Sequence, residues 1–357
     1  MSGSGQLVSV GIVTWNSRGD IGDCLSAIDL DSGRAPRELE VVVVDNGSLD
    51  GTAEWVEREY PSVRVLRNER NAGFAAAANR LVRETRGDYL LLLNPDCRLR
   101  SGYVAALIDG IEARGARCGA AGGKLVFPPA AGGDGDHDDV IDSAGLELSL
   151  ALRVKDRGHG QPDRGRFDAD EVVFGVCAAA ALYRRSLLAD LERRTGEVFD
   201  EAFGSYKEDA DLAWRARRLG WSAVYVAEAV AEHKRGFAAH RRSEMPAWLR
   251  RQSFRNRYLL LAKNATFGDV LRRLPFVAAF ELASFGYAVA RDRALLGAYP
   301  AAARLVASAW PKRRLVTRQR RAAGSPARAA AVAEAPRLAL AAPSAEGVAT
   351  SPGGHSH

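Results

Sequence analysis

The chain has 357 residues, 47% hydrophobic and 26% charged, which suits one large domain or two modest ones around a sizeable core. Its four cysteines (Cys24, Cys97, Cys118, Cys177) are widely spaced with no CxxC pair, which argues against a disulfide framework or zinc ribbon and for a reduced, cytosolic setting. The net charge of +6 hides a split: residues 1–234 sum to −9, residues 235–321 to +15, and residues 322–357 to zero. So concentrated a basic segment suits a polyanion, either nucleic acid or the anionic face of a membrane. No basic region precedes the first apolar run, so no secretory signal is expected.

Four short apolar runs, LVSVGIVT (7–14), LEVVVVDN (39–46), VRVLRN (63–68) and DYLLLLNPD (88–96), read as strands buried on both faces of a parallel sheet. Helical stretches Thr52–Tyr60, Phe74–Thr85 and Tyr103–Arg114 alternate with them, the last with Ser101 as its N-cap. This alternation predicts a doubly wound α/β layer. Polar residues gather where each strand ends: Thr14 to Asn16, Asp45 to Ser48, Asn68, and Asn94 to Asp96. Each suits an ordinary turn, but ligands of open α/β sheets bind at the carboxyl ends of strands, and together these residues make the floor of a site.

Residues 128–140 read as a Gly/Asp-rich solvated loop around His137, and VVFGVCAAAALY (172–183) as a strand. A short amphipathic helix follows in EDADLAWRARRLG, with Leu212, Ala216 and Leu219 on one face and Gly220 to stop it. Arg215, Arg217 and Arg218 complement the negative end of its dipole, and Glu208, Asp209 and Asp211 crowd the positive end. Acids there are also ordinary helix chemistry. The run 222–233 reads as a further strand ending at His233, which suits either a ligand or a packed histidine. Beyond it, LPFVAAFELASFGYAVA (274–290) contains Glu281 and predicts an amphipathic or shallowly inserted helix, not a spanning one. PKRRLVTRQRR (311–321) is a polybasic cluster of the sort that binds anionic lipid, and the Ala/Pro-rich tail 322–357 has little to pack.

No GxGxxG follows the first strand and no GxxxxGK[ST] occurs, so neither a dinucleotide site nor a P-loop is supported. Asn71 and Gly73 open a helix instead, with Asn71 and Asn79 placed to bond a ligand. The blocks IVTWNS, VVVVDNGSLDGT, NERNAGFAAAAN, LLLLNPDC, VCAAAALYRR, FDEAFGSYKEDADLAWRARRLGW and VAEH, in this order over residues 7–265, resemble family-2 glycosyltransferases of the GT-A fold. The rhamnosyltransferase-like branch is the most similar.

The resemblance implies a GT-A catalytic domain over 1–235; charge and composition add a basic amphipathic, membrane-associating helical region over 236–321 and a disordered tail over 322–357. It implies that Thr14, Asn16 and Asp45 hold the base and ribose of a nucleotide-diphosphate sugar. Asn46, Ser48 and Asp50 shape that pocket, and Asn71, Gly73 and Phe74 lie against the nucleotide. Asn94-Pro95-Asp96 falls on the family's metal motif, with Asn94 in place of its first aspartate. Asp96 and His233 then hold Mg²⁺ or Mn²⁺. Asp209 becomes the base on the acceptor hydroxyl, Glu208 binds acceptor hydroxyls or orients the site, and Asp211 is structural. Trp214 and Arg215 also match the family but suit packing and capping.

The expected activity is inverting transfer, from dTDP-L-rhamnose, onto a cell-surface glycan carried on a lipid diphosphate at the inner face of the membrane. Two alternatives stay open: a UDP-linked donor (galactofuranose or N-acetylglucosamine) and a non-catalytic nucleotide-sugar-binding protein. Nucleic acid is not expected, because aromatic residues do not interleave with the basic ones as stacking platforms do.

Overall fold

The computed structural model describes residues 7–32, 38–129, 139–235 and 245–322. His137 and the tail beyond residue 322 lie outside these, and of the polybasic cluster only residues 311–315 have described side chains. The four expected strands are β1 (Val8–Thr14), β2 (Leu39–Asp45), β3 (Arg64–Arg67) and β4 (Tyr89–Leu93). Helices α1 (Ile21–Ser32), α2 (Thr52–Glu59) and α3 (Phe74–Glu84) lie between them. The strands run parallel in the order β3-β2-β1-β4, with Val10 beside both Val41 and Leu91. Helices cover both faces, so β1 and β4 are buried along nearly their whole length.

The sheet continues through β5 (Cys97–Leu99), α4 (Tyr103–Ala113), β6 (Cys118–Val126) and β7 (Ile141–Ser143). Ser101 does not cap α4: Gly102 takes that place in a left-handed conformation (φ 86°) and offers no side chain. Then come β8 (Leu146–Leu148), β9 (Val154–Asp156), β10 (Glu171–Val173), β11 (Ala180–Arg184), α5 (Arg185–Thr195), α6 (Glu208–Arg218) and β12 (Ser222–His233). The strand expected over 172–183 is two strands. β10 pairs with β12 at the sheet's edge, whereas β11 runs antiparallel between β4 and β6, so the chain must leave the sheet and re-enter it. Since β6 and β12 again run parallel to each other, β12 ends on the same edge as β1, β2 and β4. Antiparallel β5 pairs Cys97 with His233, which brings the turn after β4 against the end of β12.

The C-terminal part is helical: α7 (Ala247–Asn264), α8 (Phe267–Arg272), α9 (Leu274–Ala290) and α10 (Ala298–Ala322). Met1–Gly324 form one compact unit, and α7 packs Leu259 and Leu260 against Phe203 and Trp214. Helix α9 is not amphipathic. Of its residues only Ala288 is buried, while Leu274, Phe276, Leu282, Phe285, Tyr287 and Val289 are exposed. Glu281 is turned inward to Arg257 and the Tyr258 hydroxyl. Among the described residues no helix is long and apolar enough to cross a membrane.

Helix α6 stops as expected, with Gly220 left-handed (φ 84°) and Leu212, Ala216 and Leu219 in the core. Its charges differ from expectation. Arg215 is fully buried and serves no dipole: it bonds Asp211 (2.8 Å), Thr195, and the Glu197 and Val198 carbonyls. Asp211 belongs to the core rather than to an exposed first turn. It also accepts from Lys263 Nζ (2.9 Å) and Asn264 Nδ2 (2.7 Å) of α7. Burial opposes its charge, but Arg215 and Lys263 hold its carboxyl below the usual range. Breaking such a network from one side leaves charge buried without a partner. Asp211→Ala is expected to cost about 3–5 kcal/mol in urea unfolding; a loss of under about 1 kcal/mol would contradict the network's role.

Candidate active site

The residues expected to hold the nucleotide-sugar are knitted together at the ends of β1, β2 and β3. Thr14 Oγ1 donates to Asp45 Oδ1 (3.0 Å), and Asp45 Oδ2 accepts from the Ser48 amide (3.0 Å). Asn16, left-handed at φ 53°, donates its amide to Ser48 Oγ and accepts from the Leu49 amide. Asp50 accepts from the Arg18 and Thr52 amides, which pins the loop at the start of α2. Buried Asn46 donates to Asn71 Oδ1 (2.9 Å) and the Gly73 carbonyl, and accepts from Asn68 and Ala72. Phe74 directs its amide to Ser205 Oγ. Asn79 is elsewhere: it is buried and exchanges hydrogen bonds with the Phe199 backbone, so it braces a loop and faces no ligand.

That loop, between α5 and α6, reaches the same floor. A Cβ on Gly73 would come 3.0 Å from the Gly204 backbone, and the Ala75 amide donates to the Gly204 carbonyl. Only glycine at residue 73, itself at φ 87°, allows this approach. From the other side α7 grips the loop. Asn256 Nδ2 lies within 2.9 Å of the Phe203, Ser205 and Tyr206 carbonyls, and Gln252 reaches the Phe203 carbonyl. The loop ends in two consecutive left-handed residues, Tyr206 (φ 71°) and Lys207 (φ 73°), just before Glu208 and Asp209. Non-glycine residues in that region store strain that surrounding contacts must hold.

At the β12 end, His233 Nε2 lies 3.4 Å from Asp96 Oδ1 and its Nδ1 2.7 Å from Asp142 Oδ2. Asn94 Nδ2 stands 3.5 Å from the same Nε2. Asp142, fully buried on β7, also meets Arg235 Nε (2.6 Å), and Arg235 reaches Asp156 (2.8 Å). Burial alone would lower the His233 pKa, but the bonds to Asp142 and Asp96 raise it to about 9. One carboxylate and one imidazole, with Nδ1 fixed by a second carboxylate, fit Mg²⁺ or Mn²⁺ completed by phosphate oxygens. Cys97 also lies within reach of Asp96 and His233. However, its thiol donates to the Ala179 carbonyl, and burial pushes its pKa well up, so it stays protonated.

The two carboxylates expected to meet the acceptor, Glu208 and Asp209, are adjacent but unlike. Burial first, and then the Asp209 charge, push Glu208 up to about 8, and its buried Oε2 has no hydrogen-bond partner among the described residues. Burial and Asp156 raise Asp209 as well. Its Oδ1 nevertheless accepts from the Ala210 amide (2.7 Å) and its Oδ2 from the Ala178 amide (3.4 Å), and both bonds favour the ionised form. Two amides thus favour the ionised form at Asp209, while Glu208 keeps a buried Oε2 without a partner among the described residues.

The model of the family described as glycosyl transferase family 2 matches residues 9–191. The chain belongs to that family. An N-acetylglucosaminyl-diphospho-decaprenol L-rhamnosyltransferase of Mycobacterium tuberculosis is 30% identical over 255 residues, covering 63% of this chain and 75% of the relative. Among solved structures, residues 1–349 of S. aureus TarS in complex with UDP-GlcNAc share the fold at TM-score 0.52 and 16% identity, covering 88% of this chain and 89% of that one. GalNAc-T7 with UDP, GalNAc and Mn²⁺ gives TM-score 0.51 at 15% identity, covering 73% of this chain and about half (48%) of the other. The fold is therefore the GT-A arrangement, and this family-2 glycosyltransferase is an enzyme of the rhamnosyltransferase-like branch.

Several residues of the glycosyltransferase's site left no mark in the sequence. Asp142 sits 91 residues from His233, on a three-residue strand. Asn256 lies inside α7, although its seven-residue spacing to Lys263 places two polar residues on one buried face.

The histidine makes metal binding depend on pH. Its raised value means that the ion pairs stabilise the metal-free fold fully below about 6.5 and fade as pH rises through about 9. A metal must displace the Nε2 proton, so Mn²⁺ affinity followed by electron paramagnetic resonance is expected to rise about tenfold from roughly pH 7 to 8. An affinity flat across that range would remove His233 from the ligand set.

Proposed function

We propose that this enzyme transfers a hexose with inversion, L-rhamnose from dTDP-L-rhamnose, onto an N-acetylglucosamine borne on a polyprenyl diphosphate. The observation that carries the mechanism is the split between Glu208 and Asp209 at the start of α6. Asp209 takes the proton of the attacking hydroxyl, while protonated Glu208 donates a hydrogen bond to a neighbouring acceptor oxygen. Placing such a base contributes ~10²–10⁴ in rate. Tyr206 lies within electrostatic reach of both Glu208 and Asp96, which supports acceptor and donor ends sharing one cleft. Thr14, Asn16, Asp45, Asn46 and Ser48 would bind the nucleoside, with Asn71, Gly73 and Phe74 against it. Asp96 and His233, with Asn94 beside them, would hold Mg²⁺ or Mn²⁺, which when bound neutralises the leaving diphosphate. The donor and acceptor rest on the mycobacterial relative's name.

The same reading assigns residues 1–235 to catalysis and residues 236–321 to a helical region that meets an anionic membrane. It is supported by the exposed apolar side chains of α8 and α9, Phe267 and Leu271 included, beside exposed Arg272, Arg291 and Arg293. Apolar contact and basic charge together hold a protein at a bilayer.

The test is transfer from a panel of dTDP- and UDP-linked sugars to a polyprenyl-diphosphate-linked N-acetylglucosamine, read by mass spectrometry. Rhamnosylation is expected from dTDP-rhamnose. Turnover only with UDP-galactofuranose or UDP-N-acetylglucosamine would replace the donor, and binding without turnover would favour the non-catalytic reading. On anionic liposomes the protein is expected to float, and Phe276→Ser with Phe285→Ser to abolish flotation. A variant that floats as before would move the membrane contact elsewhere.

A further inference from the structure

Strand β11 alternates between two cores. Ala180 and Leu182 belong to one, whereas Ala181 and Tyr183 belong to the other, with Phe199 and with Leu212 and Ala216 of α6. Tyr183 is 1% exposed, and its ring meets that of Phe199 edge-on. Among the described residues its buried hydroxyl has no hydrogen-bond partner. Phenylalanine would fill the same space without burying a polar atom, so the hydroxyl calls for a partner that side-chain packing does not supply.

A small cavity of about 10 Å³ is walled by residues of β6, β11, α5 and α6, Tyr183 and Asp209 among them. That is room for about one water and nothing larger. Other polar groups on the wall are engaged. Arg217 donates to the Val173 carbonyl (3.0 Å), Trp221 Nε1 to Asp190 (2.9 Å) and Ser222 Oγ to the Arg117 carbonyl (3.3 Å). Asp209 has capacity to spare. An ionised carboxylate offers about four acceptor sites, and the Ala210 and Ala178 amides take two, the second at 3.4 Å. Asp209 is also only half-buried, so it meets both this inner cavity and the surface. A wholly apolar cavity stays dry, whereas one that holds a donor and an acceptor suits water.

We propose that this cavity binds one water, which accepts from the Tyr183 hydroxyl and donates to the Asp209 carboxylate, making Tyr183 a positioning residue for the base. This rests on Asp209 being the base of the proposed function, and it gives a role to a residue which that reading leaves unassigned. Burial keeps the phenol protonated, so it acts as a donor. A bond donated to the ionised carboxylate favours that form and holds the group in one orientation. The other ionisable groups that bear on Asp209 are Glu208 and Lys207 beside it, Asp156 on β9 and Cys177 ahead of β11. Tyr183→Phe alters none of these.

The experiment therefore compares wild type with Tyr183→Phe, which removes one oxygen atom and keeps the ring against Phe199. A crystal structure of the wild type is expected to show one ordered water bonded to both Tyr183 Oη and Asp209, and that of Tyr183→Phe to lose it. A dry cavity overturns the site, and so does a water bonded to only one of the two groups. In single-turnover transfer at saturating donor, the acid limb of the pH–rate profile is expected to move up by about one unit in Tyr183→Phe, with donor affinity unchanged. A role in packing alone would lower stability without moving this limb, so an unmoved limb overturns the positioning role. Titration of the Asp209 carboxyl by carbon-13 NMR, with the signal assigned by its loss in Asp209→Asn, separates this from failure of the functional reading. If wild type transfers no sugar yet Asp209 titrates about one unit higher in Tyr183→Phe, the base role is wrong and the water site stands. Equal titration in the two proteins overturns it.

Discussion

Lys263 brings a full charge into the interior of the molecule, where it meets Glu197 (2.6 Å), Asp200 (2.8 Å) and Asp211 (2.9 Å). Those carboxylates also hold Arg215 and Lys312, so α6, α7, α10 and the loop ahead of α6 share one buried ionic cluster. Replacing such a cluster by apolar residues is often neutral for stability, so its value lies in geometry: a half-satisfied version is strongly disfavoured. The strained Tyr206-Lys207 turn is held between this cluster and the Asn256 grip, and that fixes where α6 begins. The C-terminal helices are therefore part of the scaffold that positions the start of α6, whatever else they meet.

The start of α6 is also where two neighbouring carboxylates are made different. Burial raises both pKa values, and the backbone hydrogen bonds that oppose this differ between the two. Amides of Ala178 and Ala210 point at Asp209, whereas Glu208 is met by its own amide. The Ala178 amide comes from the turn that leads from β10 back into the sheet as β11. The break in the expected strand over 172–183 therefore supplies a hydrogen bond to Asp209. At the proposed donor side the parallel strands do the corresponding work, because β1, β2, β4 and β12 all end on one edge.

Much of this was legible in the sequence. Continuous apolar runs ending in Asn, Asp or Ser locate β1, β2 and β4 and the polar floor beyond them, because period and turn chemistry are local signals. The roles of Asp96, His233 and the Glu208-Asp209 pair came from family resemblance, not from spacing. What stayed hidden is long-range. Asp142 is one aspartate in an acidic stretch until the fold sets it against His233, and Arg215 reads as a helix-end cation until it is seen to be fully buried. Asn79 was placed toward a ligand because its helix opens onto the site, but its position five residues in turns it to the Phe199 backbone. Of the two readings of α9, amphipathic or shallowly inserted, the first does not hold, because Glu281 faces Arg257 while the apolar residues remain outside.

The central claim is that the proton of the carboxylate pair rests on Glu208, leaving Asp209 to act as the base. Single-turnover transfer at saturating donor, compared for Asp209→Asn and Glu208→Gln, tests it most directly. The account predicts that Asp209→Asn loses ~10²–10⁴ in rate with nucleotide-sugar affinity retained, because only the base is gone. Glu208→Gln, which keeps a neutral hydrogen-bond donor in place, is predicted to lose far less. Near-normal turnover by Asp209→Asn, with the large loss falling on Glu208→Gln, would contradict the account.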